Sequence, residues 1–243
     1  MQITFLGSSH GVPEPNRKFS CALVEVGEKK YLVDAGCDPM PELINRNIHP
    51  DEINAIFITH AHGDHSNGLV PFVNLCSWYF VHADPEIFLP EPELKDALRA
   101  WMKAARDDLR ESIRFTQIRE GVLYSDGALK VTALRTQHIE RAYAFLLEAE
   151  GKKVLFTGDM KHADGPIADY VRFVTEDGYD LVVAECAHFE ADLYLEPLRR
   201  HPPKKFCFNH YSPRFLESCC RVKRLLDGEI PVEFATDGYT IRL

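Results

Sequence analysis

The feature that most restricts the possible folds of this chain is the stretch FITHAHGDHSNG, residues 57–68. It places three histidines and one aspartate within six positions, directly after the apolar run INAIFI. Side chains two apart in an extended segment face the same way, so His60 and His62 can share one ion. The glycine that follows permits a sharp turn, after which Asp64 and His65 can face a second ion from the start of a helix. The spacing predicts a site for two metal ions.

The plainer interpretation is a polar loop with surface histidines, or a hydrogen-bonded histidine cluster without metal. Four potential ligands within six residues, placed after a buried strand, favour the metal site over both alternatives.

Length and composition predict one globular domain over residues 1–243. Apolar residues make up 45% of the chain and charged residues 27%, as in ordinary soluble proteins. The formal net charge of −9 argues against extended nucleic-acid binding, because affinity for a long polyanion comes largely from Lys and Arg contacts to phosphates. A small anionic substrate remains compatible with this charge.

The sequence predicts a cytoplasmic protein without a membrane segment. No stretch reaches the roughly 18 uncharged apolar residues of a membrane span, and the start MQITFLGSSHG lacks the features of a signal peptide. Seven cysteines without any C-x-x-C spacing fit reduced, packed thiols better than a disulfide framework.

Runs rich in β-branched and aromatic residues predict strands. They are ITFLG, CALVEV, KYLVDAG, INAIFIT, LKVTALRT, AYAFLLEA, KKVLFTGD, DLVVAEC and KKFCFNH. Helices are predicted over GLVPFVNLCSWY, PEPELKDALRAWMKAARDDLRESI, GPIADYVRFVTEDG and SPRFLESCCRVKRLLDG, and HADPEIFLPEPEL is interpreted as a packed connection. Strand-rich segments followed by helices occur twice, which predicts an α/β fold with two sheets packed face to face and helices outside.

The segment HAHGDH resembles the H-x-H-x-D-H motif of the metallo-β-lactamase fold, a four-layer αββα sandwich of hydrolases. The resemblance extends over most of the chain, since further family motifs match YLVDAG, LRTQHIE, VLFTGDM and FCFNHYS. These segments supply Asp34, His138, Asp159 and His210.

The resemblance implies a complete set of metal ligands. The first metal is assigned to His60, His62 and His138, the second to Asp64, His65 and His210, with Asp159 bridging the two. Such a donor set suits Zn²⁺, and Mn²⁺ or Fe is chemically acceptable. Asp34 is expected to orient a ligand histidine through its ring N–H, and its alternative role is that of a turn aspartate before Gly36.

Two neighbouring cations lower the pKa of a shared water and stabilise charge on an attacked oxygen, which predicts hydrolysis by a bridging hydroxide oriented by Asp64. The opening ITFLGSSHGVPEPNRKFS resembles that of the ribonuclease Z branch, and NHYSPRF resembles its closing HxSxR segment. This likeness implies a phosphodiester substrate. Arg17, Ser212 and Arg214 are therefore candidates to hold the phosphate, with surface positions as their alternative.

One departure from ribonuclease Z concerns the size of the substrate. That family inserts a long tRNA-grasping arm between the motifs of His138 and Asp159, where this chain has only IERAYAFLLEAEGKKVLFTG. Two antiparallel strands with a turn at Glu150-Gly151 use the whole segment. We therefore expect a small phosphodiester, such as a cyclic nucleotide or sugar cyclic phosphate, as in the PhnP-like and other arm-less phosphodiesterases that destroy cyclic mononucleotide signals.

Three alternatives to this function stay open. They are tRNA 3′-processing as in ribonuclease Z, carbon-centred hydrolysis as in lactonases and thioesterases, and a non-catalytic protein that kept the fold.

A general acid for the leaving group is sought near the strand-end segment AECAHFE. His188 is the first candidate from its position, and Glu185 matches a glutamate in the EATF segment of the ribonuclease Z branch. A core or surface histidine is the alternative for His188. His10 and His162 are weaker candidates for the same role.

A homodimer is expected because relatives in this branch are commonly dimeric. Trp78, Tyr79 and Phe80 are candidate contacts, together with an apolar helix stripe formed by Leu94, Leu98, Trp101, Met102 and Ala105. Such a stripe can equally pack on the core of its own chain.

Overall fold

The computed structural model describes residues 1–160, 167–174 and 178–243. Within them the chain forms two sheets of seven strands each. One sheet contains β1 (Gln2–Gly7), β2 (Cys21–Val26), β3 (Lys29–Val33), β4 (Ile53–Phe57), β5 (Glu86–Leu89), β6 (Arg114–Gln117) and the last strand, β14 (Thr240–Arg242). The other contains β7 (Gly121–Ser125), β8 (Lys130–Thr136), β9 (Ala142–Ala149), β10 (Lys152–Phe156), β11 (Leu181–Cys186), β12 (Phe206–Tyr211) and β13 (Val232–Phe234). The strand orders are β14-β1-β2-β3-β4-β5-β6 and β13-β12-β11-β10-β9-β8-β7.

The two sheets pack face to face and are covered by helices on both outer faces. The helices are α1 (Pro39–Asn45), α2 (Gly63–Ser66), α3 (Leu69–Trp78), α4 (Glu93–Ala104), α5 (Ala168–Phe173), α6 (Leu195–Arg200) and α7 (Leu216–Leu225). Between the sheets, the rings of Phe57 and Phe145 lie 6.0 Å apart in a fully buried cluster. Helices α1, α3 and α4 share a second apolar cluster with the outer face of the first sheet, and α5 to α7 share a third with the second sheet. These four layers confirm the predicted αββα sandwich.

Parallel strands in the middle of each sheet explain where polar side chains collect. β3, β4 and β5 run parallel, and so do β10, β11 and β12. The carboxyl ends of parallel strands lie at one edge of a sheet, where loops can carry functional groups. Asp34 follows β3, His60 follows β4, Asp159 follows β10 and His210 lies near the end of β12, so four distant segments deliver polar residues to one rim.

Two predicted elements are wrong in extent. The helix expected over residues 90–113 ends at Ala104, because Arg106 takes a left-handed backbone conformation with φ 65°. The segment HADPEIFLPEPEL, interpreted from its sequence as a packed connection, contains the strand β5. Its four residues are almost all buried between β4 and β6. A short buried parallel strand has no alternation that a sequence pattern can detect. The ends of the helix predicted over residues 165–178 lie partly outside the described residues.

The connection between β9 and β10 is short, as predicted. The two strands pair antiparallel from Lys152 with Ala149 to Phe156 with Phe145. Glu150 and Gly151 form the turn with φ values of 53° and 69°. Separately, none of the described helices has the length and apolar character needed to cross a membrane.

Candidate metal centre

Three histidine rings meet at the rim after β4, and we call them the first group: His60, His62 and His138. The Nε2 atom of His60 lies 3.0 Å from Nδ1 of His62. That Nδ1 atom in turn lies 3.2 Å from Nε2 of His138, which is held on the loop between β8 and β9. Their ring nitrogens are close enough together to surround one ion.

The second group consists of Asp64, His65 and His210. Oδ2 of Asp64 lies 3.5 Å from Nε2 of His65 and 3.7 Å from Nε2 of His210. His210 is fixed to the first loop of the chain, because its Nδ1 donates to the carbonyl of Ser9 at 3.1 Å. Its Nε2 is therefore left facing the rim.

Asp159 lies between the two groups, and each of its carboxylate oxygens faces a different one. Oδ2 is 3.7 Å from Nε2 of His60 and 3.6 Å from Nε2 of His138. Oδ1 is 3.6 Å from Nε2 of His65 and 3.4 Å from Nε2 of His210. This is the arrangement expected of a carboxylate that bridges two cations.

Asp34 orients His65 from behind. The Nδ1–H of His65 donates to Asp34 Oδ2 at 2.7 Å, while the Thr59 N–H and hydroxyl donate to Oδ1 at 2.8 and 2.9 Å. Asp34 is buried and its backbone is left-handed, with φ 61°. Asp34 thus contacts His65, while its role in orienting a metal ligand stays a prediction, and Thr59 is a further partner that the sequence analysis did not single out.

The charges in this cluster shift its pKa values strongly. Burial alone would raise the pKa of Asp159, but the neighbouring His210 and His65 hold it well below its usual range. Burial would lower the pKa of His65, yet the charges of Asp34 and Asp159 raise it to about 10. Burial and the nearby His65 keep the pKa of His60 well below its ordinary value. Burial likewise lowers the pKa of His138.

Unpartnered buried atoms show that the cluster fits divalent cations. In the described part of the chain, Nε2 of His65 and Oδ1 of Asp159 are buried without a hydrogen-bond partner. A self-contained polar cluster would satisfy such atoms internally, because burying them unpaired is costly. Imidazole nitrogens and carboxylate oxygens are the donors that bind Zn²⁺ and related ions. The individual ligand roles stay a prediction.

Two glycines let the loops around the cluster approach each other closely. A Cβ atom on Gly36 would lie 1.8 Å from the carbonyl oxygen of Asp64, and one on Gly68 would lie 1.9 Å from the carbonyl oxygen of Cys37. The turn after β3 is therefore pressed against the segment that carries Asp64 and His65. The sequence shows these glycines, but it does not show which backbone they touch.

Glu185 and His188 form a pair beside the first group. Glu185 is buried at the end of β11 and accepts hydrogen bonds from Met160 N at 2.9 Å and Ala187 N at 2.8 Å. Nδ1 of His188 lies 2.9 Å from Glu185 Oε2. Nε2 of His188 lies 3.8 Å from Oδ2 of Asp159, so this ring points toward the cluster.

Arg17 is held by other groups of the protein. Its guanidinium binds Glu14 at 2.9 Å and the carbonyl of Tyr211 at 3.2 Å, and it stacks on the Tyr211 ring at 3.9 Å. Glu14 also binds Nδ1 of His10 at 2.8 Å. These contacts favour a role for Arg17 in fixing the first loop. The sequence analysis missed Glu14, because a lone acidic residue in a loop carries no distinguishing signal.

Arg214 and Ser212 lie after β12, close to His210. Ser212 is buried and its hydroxyl accepts from the Arg214 N–H at 3.3 Å, which caps a short 3₁₀ turn. Arg214 is exposed, and among the described residues its guanidinium has no hydrogen-bond or ion-pair partner. It is thus available to an anionic ligand. His162, the remaining candidate, lies outside the described residues.

Comparison with solved structures shows the same fold. The metallo-β-lactamase fold protein YhfI from Bacillus subtilis is 17% identical, with a TM-score of 0.78 over 99% of this chain and 98% of its own. A diphosphatase of the PhnP family is 17% identical, with a TM-score of 0.68 over 100% of this chain and 97% of its own.

Comparison with curated sequences finds ribonuclease Z enzymes. That of Crocosphaera subtropica is 35% identical over 147 residues, which cover 60% of this chain and 47% of the relative. This chain spans about half the length of the curated relatives that it matches first. The model of the family described as Anti-Pycsar protein Apyc1 matches residues 1–218. With that match over most of its length, the chain belongs to the Anti-Pycsar protein Apyc1 family, and it has the metallo-β-lactamase fold.

Proposed function

We propose that this protein is a metal-dependent phosphodiesterase that hydrolyses a small phosphodiester, such as a cyclic nucleotide or a sugar cyclic phosphate. The observation that carries the proposal is the position of Asp159, whose two oxygens face two separate groups of ligand-type side chains. The names of its relatives, ribonuclease Z and a PhnP-family diphosphatase, favour phosphorus over carbon as the attacked atom.

The residues that would hold two divalent ions, with Zn²⁺ as our choice, are those of the first and second groups together with Asp159. Such a pair of ions supplies an ionised water near neutral pH and neutralises charge on the phosphate. Asp34 keeps the ring of His65 turned toward the rim. Asp64, half-buried in the first turn of α2, accepts a proton from the attacking water.

His188 is the general acid in this proposal. Glu185 accepts from Nδ1 of His188 and is itself fixed by two backbone N–H groups, so the ring has one orientation. Nε2 is then the atom that faces the cluster and donates a proton to the leaving oxygen. The nearby carboxylate of Glu185 stabilises the imidazolium before the transfer.

Arg214 is our candidate for the residue that binds the phosphate from the protein side. It is exposed and follows His210 closely in the sequence, and a guanidinium can bind two phosphate oxygens at once. Ser212 holds the turn that presents it. Arg17 is assigned to the first loop, because its donors are already used by Glu14, Ser8 and Tyr211.

The size of the proposed substrate follows from the short β9–β10 hairpin and from the net charge of −9. A net negative charge disfavours binding along a long polyanion, and the hairpin leaves no room for an inserted tRNA-grasping arm. The competing function is tRNA 3′-processing, and the ribonuclease Z relatives are the observation that favours it.

A substrate panel tests the proposal. Zinc- and manganese-loaded protein should be incubated with 2′,3′- and 3′,5′-cyclic nucleotides, a sugar cyclic phosphate, a tRNA precursor, and a chromogenic lactam or thioester. We expect turnover of at least one cyclic phosphodiester and none of the lactam or thioester. Cleavage of the tRNA precursor alone would support the ribonuclease Z alternative, and cleavage of a carbon ester alone would overturn the proposal.

Proton release on metal binding should differ between the two groups. The raised pKa of His65 keeps it protonated at neutral pH in the metal-free protein, so filling the second group should displace about one proton from it. The lowered pKa values of His60 and His138 leave those rings already neutral. The affinity of the second group should therefore rise with pH over the range below about 10, more steeply than that of the first.

This difference is measured by zinc titration calorimetry in buffers of different ionisation enthalpy. His138→Ala isolates the second group and His210→Ala isolates the first, so each serves as the control for the other. Equal proton release by the two variants would contradict the assignment.

A homodimer and a cytoplasmic location complete the proposal. The exposed rings of Trp78, Tyr79 and Trp101 support a contact between copies, whereas Leu98 and Met102 of the same helical stripe pack in the core. Five of the seven cysteine thiols are buried in the packed layers, which suits a reducing compartment. Sedimentation at micromolar concentration tests the dimer, and a monomer there would remove it.

A further inference from the structure

A buried carboxylate on α5, Asp169, binds the backbone beside His138. Asp169 is 2% exposed, and its Oδ2 accepts from the N–H of Gln137 at 2.7 Å. Arg172, on the same helix, pairs with Asp169 Oδ1 at 3.1 Å and donates to the carbonyl of Arg135. The turn that leads into His138 is therefore held at two backbone positions by one helix.

The loop that carries His138, residues 137–141, has little other support. Its ends are joined by the pairing of Thr136 with Ala142. Arg141 reaches Glu91 through its side chain. In residues 1–160, 167–174 and 178–243, Asp169 is the one side chain from outside the loop that bonds to the loop backbone. Asp169 thus fixes the backbone from which the His138 side chain extends.

Helix α5, which carries Asp169, packs into the apolar core. The neighbouring Tyr170 is fully buried, and its ring lies 5.1 Å from that of Tyr194 and 6.5 Å from that of Phe206. A carboxylate is costly to bury unless its oxygens are bound. Both oxygens of Asp169 are bound, one by the loop and one by Arg172.

We propose that Asp169 is a positioning residue that holds His138 in its place in the first group and thereby sets the metal affinity of that group alone. The inference rests on the proposed function, because it requires the two groups to bind metal. Supporting residues behind a metal ligand typically contribute about 10–100-fold to metal affinity. The second group has its own supports, since Asp34 binds His65 and the carbonyl of Ser9 binds His210.

Asp180 provides a matched control. It is 5% exposed, accepts from the Lys153 N–H at 3.0 Å and pairs with Lys204 at 2.9 Å. It precedes β11 at the strand end opposite to Glu185. Asp180→Asn therefore removes a buried charge of the same kind without touching the rim.

The experiment measures zinc binding by competition with a chromophoric chelator and records the absorption spectrum of the cobalt-loaded protein. Wild type and Asp180→Asn should bind two equivalents with the same affinities. In Asp169→Ala one equivalent should weaken by roughly 10–100-fold while the other stays unchanged. Asp169→Asn keeps an oxygen for the N–H of Gln137 and should restore part of the affinity.

A double variant identifies the affected group. Once His138→Ala has emptied the first group, adding Asp169→Ala should leave the affinity for the remaining ion unchanged. Added to His210→Ala, the same change should weaken the ion that is left. Circular dichroism of the metal-free proteins checks the fold, and Asp169→Asn carries the test if Asp169→Ala does not fold.

The experiment distinguishes failure of the proposed dinuclear function from failure of the proposed role of Asp169. Fewer than two equivalents bound by wild type would overturn the proposed dinuclear function. Two equivalents in wild type, with both weakened equally or neither weakened by the Asp169 changes, would overturn the role of Asp169 alone.

Discussion

Asp159→Ala is expected to lower phosphodiesterase kcat/KM by about 10³-fold or more, equivalent to roughly 4 kcal/mol of transition-state stabilisation. The reason is geometric, since its two oxygens face both groups, at 3.4 to 3.7 Å from four histidine nitrogens. Removing it leaves four imidazoles without the charge that compensates bound cations. Metal content should fall below two equivalents in the same variant.

Activity and metal content should be measured together, by steady-state kinetics and elemental analysis after dialysis. Asp159→Asn keeps the size of the side chain but has one oxygen and no charge, so it should fail in the same way. Asp180→Asn again serves as the control for loss of a buried carboxylate. An Asp159→Ala protein with two bound metals and a tenth of the wild-type activity would refute the bridging role.

His188→Ala should lower kcat for a substrate with a poor leaving group by about 10²–10⁴-fold, the usual contribution of a positioned general acid. An activated ester such as bis-p-nitrophenyl phosphate needs no protonation of its leaving group, so its hydrolysis should change far less. The expectation follows from Nδ1 of His188 being held by Glu185 while Nε2 faces Asp159 at 3.8 Å.

The comparison of the two substrates separates catalysis from structure. Loss of a merely structural histidine would slow both substrates equally, and such a result would remove His188 as the acid. Glu185→Gln should show the same leaving-group dependence more weakly, because it keeps an acceptor for Nδ1 but loses the charge. KM should change little in either variant if neither side chain binds the ground state.

Local sequence patterns predicted the features of this protein that are formed by residues close together in the sequence. The HAHGDH turn is one example, since six consecutive residues follow one strand. The resemblance to a family added Asp159 and His210, whose strands lie far along the chain but end at the same rim. The layers of the αββα sandwich could be predicted because most of its strands are long enough to show an apolar pattern in the sequence.

Other features depend on contacts that no local pattern encodes. β5 was missed because its four residues, three of them buried in succession, show no alternation. The sequence does not show that Glu14 is the partner of Arg17. The structure shows the two side chains bound to each other. Asp169 contacts a backbone N–H that lies 32 residues earlier in the chain, and an aspartate near the start of a helix gives no indication of such a partner.

The link between His210 and the loop at Ser8 and Ser9 has a consequence for the order of assembly during synthesis. The backbone N–H of His210 donates to Ser8 O, and its ring donates to Ser9 O, across about two hundred residues. All residues of the first group have been synthesised once residue 138 is added, whereas the second group is incomplete until residue 210 is added. A nascent chain on the ribosome therefore contains the residues of the first group before those of the second, and the complete centre forms only when the segment of His210 docks on the earlier loop at Ser8 and Ser9.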